Sequence, residues 1–288
     1  MNDADLATEL GFHSEHADVN GTTLHYVTGG EGPPLVLLPG WPQTWWSWHK
    51  VMPKLAERRR VVAVDLRGMG GSAKPDGGYD KKTMAADIHE LVRRLGHNQV
   101  DVAGHDIGAM VAFSMAANHP DTVGKVALLD APHANAAFYQ LPLLSDTGAP
   151  GDYWWFGFNQ LDTLPEQLLD GRARFLVDHI VDRLAAHRAA IADRDRMIYA
   201  AAYDAPGAVR ASTGWYRAFR QDIADLGGYE KVTAPVLALF NRRALGVVSA
   251  MIDQYAADVR TRAVEDSGHF LAEEQPDVVV DELLAFFG

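Results

Sequence analysis

Apolar positions along this chain fall into short continuous runs separated by stretches with a helical period. His16 to Val19 and Thr22 to Thr28 flank Asn20-Gly21, a dipeptide suited to a tight reversal, so the two segments predict a β-hairpin. Gly29 to Pro34 reads as a loop. Leu35-Val36-Leu37-Leu38 and Val61-Val62-Ala63-Val64 then read as strands buried on both faces, with helical character from Trp45 to Glu57 between them. Met84, Ile88, Leu91, Val92 and Leu95 recur three or four positions apart and predict an amphipathic helix over 83–95. Strands follow at Val100 to Ala103 and Val126 to Leu129, the second ending at Asp130. This alternation predicts an α/β fold, a mainly parallel sheet flanked by helices.

The alternation then stops. Ala134 to Gln221 contains no strand-like run and reads as several helices, rich in aromatic residues, alanine and charge. Strands return at Pro235 to Phe240 and Thr261 to Val264, and a helix is expected over 276–287. The expected organisation is a core built from 1–133 and 222–288, with 134–221 as an inserted helical cap, or lid. No repeat or low-complexity tract interrupts it.

Composition narrows the function. Of 288 residues 48% are hydrophobic and 22% charged, ordinary for a globular protein. The net charge of −12 excludes the basic footprint of a nucleic-acid binder. No cysteine is present, which removes thiolate catalysis, disulfides and cysteine metal sites. The acidic N-terminus, Met1 to Leu6, has no apolar core of a signal peptide, and no apolar run is long enough to span a bilayer. A cytoplasmic location without membrane contact is expected.

The most informative motif is Gly104-His105-Asp106-Ile107-Gly108. It follows a strand and opens a helix, the setting in which a sharp turn pushes one side chain into a cleft. Such elbows usually carry serine, which attacks acyl carbon. An aspartate attacking an acyl group would give a labile anhydride; attacking saturated carbon, it gives an alkyl ester that water can cleave. Asp106 therefore points to substrates with an electrophilic sp3 carbon, such as epoxides or alkyl halides. The strand and helix around the motif outweigh its reading as a plain glycine turn.

In parallel sheets functional groups gather at the carboxyl ends of strands. Asp130 and His269 end two others, and the order nucleophile, acid, histidine is that of a catalytic triad. His269 is the candidate base, and Asp130 would orient its imidazole. An aspartate closing a strand is often only a cap. However, Asn241 to Gly246, after the 235–240 strand, offers no carboxylate, so Asp130 is the acid available. The loop Pro39-Gly40-Trp41-Pro42 places the Trp41 amide, with that of Ile107, as the candidate oxyanion hole. Asp65 to Ser72 lacks the Gly-Lys-Ser/Thr ending of a phosphate loop, and His13 to His16 lacks the spacing of a zinc motif. No metal and no cofactor are expected.

These residues resemble the α/β-hydrolase superfamily, its epoxide hydrolase branch and, within that, the Cif-type group. The likeness runs from about Gly11 to the C-terminus. It is carried by Leu24 to Val27, Gln43-Thr44-Trp45, Trp48-His49, His105 to Gly108, Ala131-Pro132, Trp154 to Phe158 and Trp215 to Ala218. The resemblance implies a cofactor-independent hydrolase acting on ether bonds: Asp106 opens an epoxide, Tyr216 hydrogen-bonds the ring oxygen, and His269 with Asp130 hydrolyses the ester to a vicinal diol. Three features depart from the family. Pro39 replaces the histidine of the oxyanion loop, Trp155 stands where a second lid donor is usual, and no signal peptide is expected from the N-terminal residues. Trp155 with Tyr216 also matches the halide-binding pair of fluoroacetate dehalogenases, making a haloalkane or haloacid dehalogenase the alternative. Those enzymes hold a substrate carboxylate with arginines after the nucleophile, where Ile107 and Met110 stand here. A third reading is a non-catalytic ligand-binding protein on this fold. Trp154, Phe156 and Phe158, with Trp155, are the candidate pocket residues for a small apolar substrate, in a monomer or homodimer.

Overall fold

A computed structural model describes residues 2–141, 153–244 and 252–288. Its strands are β1 (His13–Val19), β2 (Thr22–Gly29), β3 (Pro34–Leu38), β4 (Arg60–Val64), β5 (Val100–His105), β6 (Val123–Leu129), β7 (Val236–Asn241) and β8 (Val259–Val264). They form one sheet in the order β1-β2-β4-β3-β5-β6-β7-β8. The β1–β2 hairpin and the β2–β4 pair are antiparallel, and every later pair is parallel. The inner strands are shielded on both faces, which is why they read as unbroken apolar runs.

The helix after the elbow, Ile107–Asn118, is buried at every position from Ile107 to Ala116. It is apolar around its whole circumference, as a helix packed on all sides must be. Helix Lys81–Arg94 covers it and exposes a polar stripe. Between Trp45 and Glu57 the expected helix is two short pieces, a 3-10 turn Trp45–Trp48 and a helix Met52–Leu55. Pro53 explains the break: it lacks an N–H and suits only the first turn. A short N-terminal helix, Asp3–Glu9, was not expected; Asn2 caps it.

Among the described residues, the chain from β6 to β7 holds helices and no strand. The longer ones are Ala173–Leu184, Asp193–Tyr203, Ala208–Arg217 and Phe219–Leu226. The boundary expected at 221 falls within the last of these. No helix among the described residues is long and apolar enough to cross a membrane.

Candidate active site

Strands β3, β5, β6 and β8 run parallel, and the segments leaving their carboxyl ends carry the candidate groups. Asp106 leaves β5 at φ 52°, a left-handed conformation unusual for a residue with a side chain. Strain of this kind costs about 1–3 kcal/mol and persists where the surroundings enforce it. The enforcing contacts are visible. A Cβ on Gly40 would lie 2.4 Å from that of Asp106, one on Gly104 would lie 2.2 Å from the Gly108 carbonyl oxygen, and one on Gly108 would lie 2.2 Å from that of Leu38. Glycine at 40, 104 and 108 lets the elbow and the 39–42 loop touch.

The Asp106 carboxylate accepts the Trp41 amide at 2.8 Å and also faces the Ile107 amide. Both amides predicted to form an oxyanion hole thus converge on this carboxylate. Ile107 opens a helix, whose positive end adds to their effect. Burial lifts the Asp106 pKa above the ordinary carboxylate range; His269, the two amides and Lys81 pull it back. His269 Nε2 lies 3.7 Å from Asp106 Oδ2, and its Nδ1 lies 2.8 Å from Asp130 Oδ2. Burial alone would lower the His269 pKa, but Asp130, then Asp106 and Glu274, raise it overall.

Three supports of this pair were not foreseen. Asn241, closing β7, donates its amide to Asp130 Oδ1 at 3.1 Å and its side-chain nitrogen to both oxygens at 2.9 and 3.1 Å. The site where a carboxylate was sought instead holds its hydrogen-bond donor. His105 Nε2 donates to the His269 carbonyl at 2.8 Å. Glu274 accepts the amides of Gly268 and Phe270 on either side of His269, and those of Ala186 and His187 from the lid. A Glu so near a histidine motif was the available signal.

Tyr216 is fully buried on helix Ala208–Arg217, its ring 5.4 Å from Trp41. Burial, then the Asp106 charge, raise its pKa well above the usual phenol value, so it stays protonated. The buried Trp155 indole faces the same hydroxyl and partly offsets this rise. Phe156 packs on Tyr216 and Phe219 at 5.4 Å. Trp154 and Phe158 pack instead on each other at 5.8 Å, with Trp154 against His179 at 5.5 Å and half-exposed. The four expected pocket aromatics therefore separate into a pair beside Tyr216 and a pair turned to the lid helices.

Tyr203 was missed as well. It is buried, donates to the Gln43 carbonyl at 3.2 Å, and feels the charge of Asp106. The glycine-rich turn 65–72 is structural. Asp65 accepts the amides of Trp45 and Gly71 and bonds His25 Nδ1 at 2.7 Å. Asp3, His25 and Asp65 bring potential metal-binding atoms within 4.8 Å of one another. His25 uses its ring nitrogens on Asp65 and Ser14, and Asp65 is filled by its donors, so this cluster is a hydrogen-bonded brace.

The alpha/beta hydrolase fold family matches residues 33–276. A soluble epoxide hydrolase from Corynebacterium sp. (strain C12) is 36% identical, covering 98% of this chain and 99% of its own. A fluoroacetate dehalogenase from Burkholderia sp. is 32% identical, covering 93% and 91%. Among solved structures, the Cif epoxide hydrolase from Acinetobacter nosocomialis superposes with a TM-score of 0.90 over 100% of this chain and 98% of its own, at 21% identity, a likeness of fold. With its eight-stranded sheet and the full extent of these matches, the chain belongs to the α/β-hydrolase fold family.

Proposed function

We propose that this protein is an epoxide hydrolase working through an ester on Asp106. The observation that carries the reading is a carboxylate, not a hydroxyl, at the elbow, bonded by the Trp41 amide and faced by that of Ile107, by a His269–Asp130 pair and by a buried phenol. Asp106 attacks an oxirane carbon; its C–O bond forms as the ring C–O bond breaks. Tyr216 donates its hydrogen bond, then its proton, to the leaving oxygen. Loss of the Asp106 charge in the ester removes one cause of the raised Tyr216 pKa, so the phenol gains acidity as the alkoxide develops. His269 next takes a proton from water, and the hydroxide adds to the ester carbonyl. The oxyanion faces the Trp41 and Ile107 amides. Collapse expels the alkoxide, which takes the proton from His269 as the diol leaves. The Asp106 acid ionises and its proton restores the Tyr216 phenol.

The epoxide hydrolase relative supports this substrate class, and so do the apolar rings of Trp41 and Phe156 packed on Tyr216. One observation favours a second reading. Trp155 and Tyr216 present two N–H/O–H donors that suit a halide, and one relative is a fluoroacetate dehalogenase. Against a charged haloacid, Ile107 and Met110 are buried and apolar. Intact mass separates the readings. His269→Gln, incubated with terminal epoxides and neutral alkyl halides, is expected to gain the full mass of an epoxide. A halogen-free adduct from the halides alone would support dehalogenation, and no adduct from either class would contradict the covalent mechanism.

A further inference from the structure

A fully buried cation lies beside the lid helix that carries Tyr216. Lys81 opens the core helix Lys81–Arg94, and its side chain has no solvent exposure. Its ammonium lies 2.7 Å from Asp222 Oδ2, 2.8 Å from the Trp215 carbonyl oxygen and 4.9 Å from the centre of the Phe219 ring, all on helices between β6 and β7. Asp222 uses its other oxygen to accept the Lys81 backbone amide at 2.7 Å. Two of the three ammonium protons are thus directed at oxygens, and a π-face stands beside them.

Fold stability gives little reason for such a pair. Apolar residues in place of a buried ion pair often leave stability unchanged or improved. What the pair touches is more telling. Trp215 immediately precedes Tyr216 near the C-terminal end of helix Ala208–Arg217, where carbonyls lack helical donors and a cation is favoured. The Trp215 indole donates to the core Arg67 carbonyl at 2.9 Å, so Trp215 is fixed at both ends. The Phe219 ring packs 5.1 Å from that of Tyr216.

We infer that Lys81 and Asp222 are positioning residues for Tyr216: their buried pair fixes the end of its helix and the adjoining Phe219 ring, and so aims the phenol at the opening oxirane oxygen. This rests on the assignment of Tyr216 as the ring-opening donor. Lys81→Met combined with Asp222→Leu removes both charges and strands neither. Thermal melting reports its fold, and rapid-mixing kinetics with an epoxide at the pH plateau resolve binding, alkylation and ester hydrolysis.

The paired variant is expected to melt at or above the wild-type temperature and to alkylate at least about tenfold more slowly, because a small misplacement of a reacting group is costly. Substrate dissociation and ester hydrolysis stay within about twofold of wild type, since neither step uses the phenol's aim. In a Tyr216→Phe background the paired substitution causes no further loss of alkylation. Asp222→Asn, which keeps the shape of the site, is expected to show the same dependence on Tyr216 with a smaller loss, and serves if the paired variant does not fold. Wild-type alkylation in either variant, or an equal loss with and without the Tyr216 hydroxyl, overturns the inference. Undiminished alkylation by Tyr216→Phe alone overturns the donor assignment itself, a separate result.

Discussion

In the proposed reaction, where charge sits on each residue sets what each step can do. In the free enzyme burial works against a charged His269, while Asp130, Asp106 and Glu274 outweigh it and His105 stands neutral beside it. Once Asp106 is esterified, one of those carboxylates is gone and the His269 pKa falls. Water activation needs neutral imidazole, so ester hydrolysis is expected to rise with pH. Its midpoint should lie below that of His269 in the free enzyme. Asp130→Asn removes the largest stabiliser of the imidazolium: the midpoint moves further to acid, and the plateau drops about 10²- to 10⁴-fold as the general base loses its orientation. Decay of a preformed ester followed across pH measures both, and an unmoved midpoint with an unchanged plateau contradicts the role given to Asp130.

At this scale legibility followed position. Asp106 and Asp130 are readable because each stands at the end of an apolar run, where a polar group needs a reason, and His269 because it falls in a glycine turn between the last strand and the C-terminal helices. Asn241 stands in the same kind of place, yet an asparagine after a strand reads equally well as a turn. Its function depends on β7 lying next to β6. Lys81 and Glu273 were illegible because charges in a helical pattern are ordinarily solvated, and sequence alone does not reveal that these are buried.

At the scale of elements, helix Asp193–Tyr203 ties the lid to the core. Tyr199 donates to Glu273 at 2.9 Å, Gln43 donates to the same carboxylate, Tyr203 bonds the Gln43 carbonyl, and the Trp46 indole donates to Asp195 at 2.8 Å. Burial, then the Asp195 charge, push Glu273 up to about 8, against the pull of Tyr199, Lys50 and Gln43. A carboxyl whose pKa is raised by folding contributes stability that is complete below its unfolded value. That contribution is lost as pH climbs through its folded value. The wild-type melting temperature is therefore expected to fall between about pH 5 and pH 9 through this group. Glu273→Gln, which cannot ionise, should give a flatter curve and gain on wild type as pH rises. Parallel melting curves across that window contradict the assignment. None of these clasps is encoded by periodicity. The parallel strands were legible because burial on both faces leaves an unbroken apolar run, whereas Trp45 to Glu57 misled because three tryptophans and Pro53 share an apolar composition with no continuous helical geometry.

For the molecule as a whole, the sheet order and strand directions place the segments after β3, β5, β6 and β8 around one site, and the helices between β6 and β7 bring Tyr216 and Trp155 to it. The general α/β architecture was legible in the sequence because the alternation of strand and helix leaves few topologies. The division of the lid aromatics was not, since ring packing depends on which helix each one meets. The central claim is that Asp106 itself becomes the ester and is cleaved at its carbonyl carbon. One turnover in water labelled with heavy oxygen, with enzyme in excess over epoxide, tests it most directly. The diol is expected to carry no label, and the peptide containing Asp106 to gain one heavy oxygen. Label in the diol, with an unlabelled Asp106 peptide, would mean that water opens the ring directly and would contradict it.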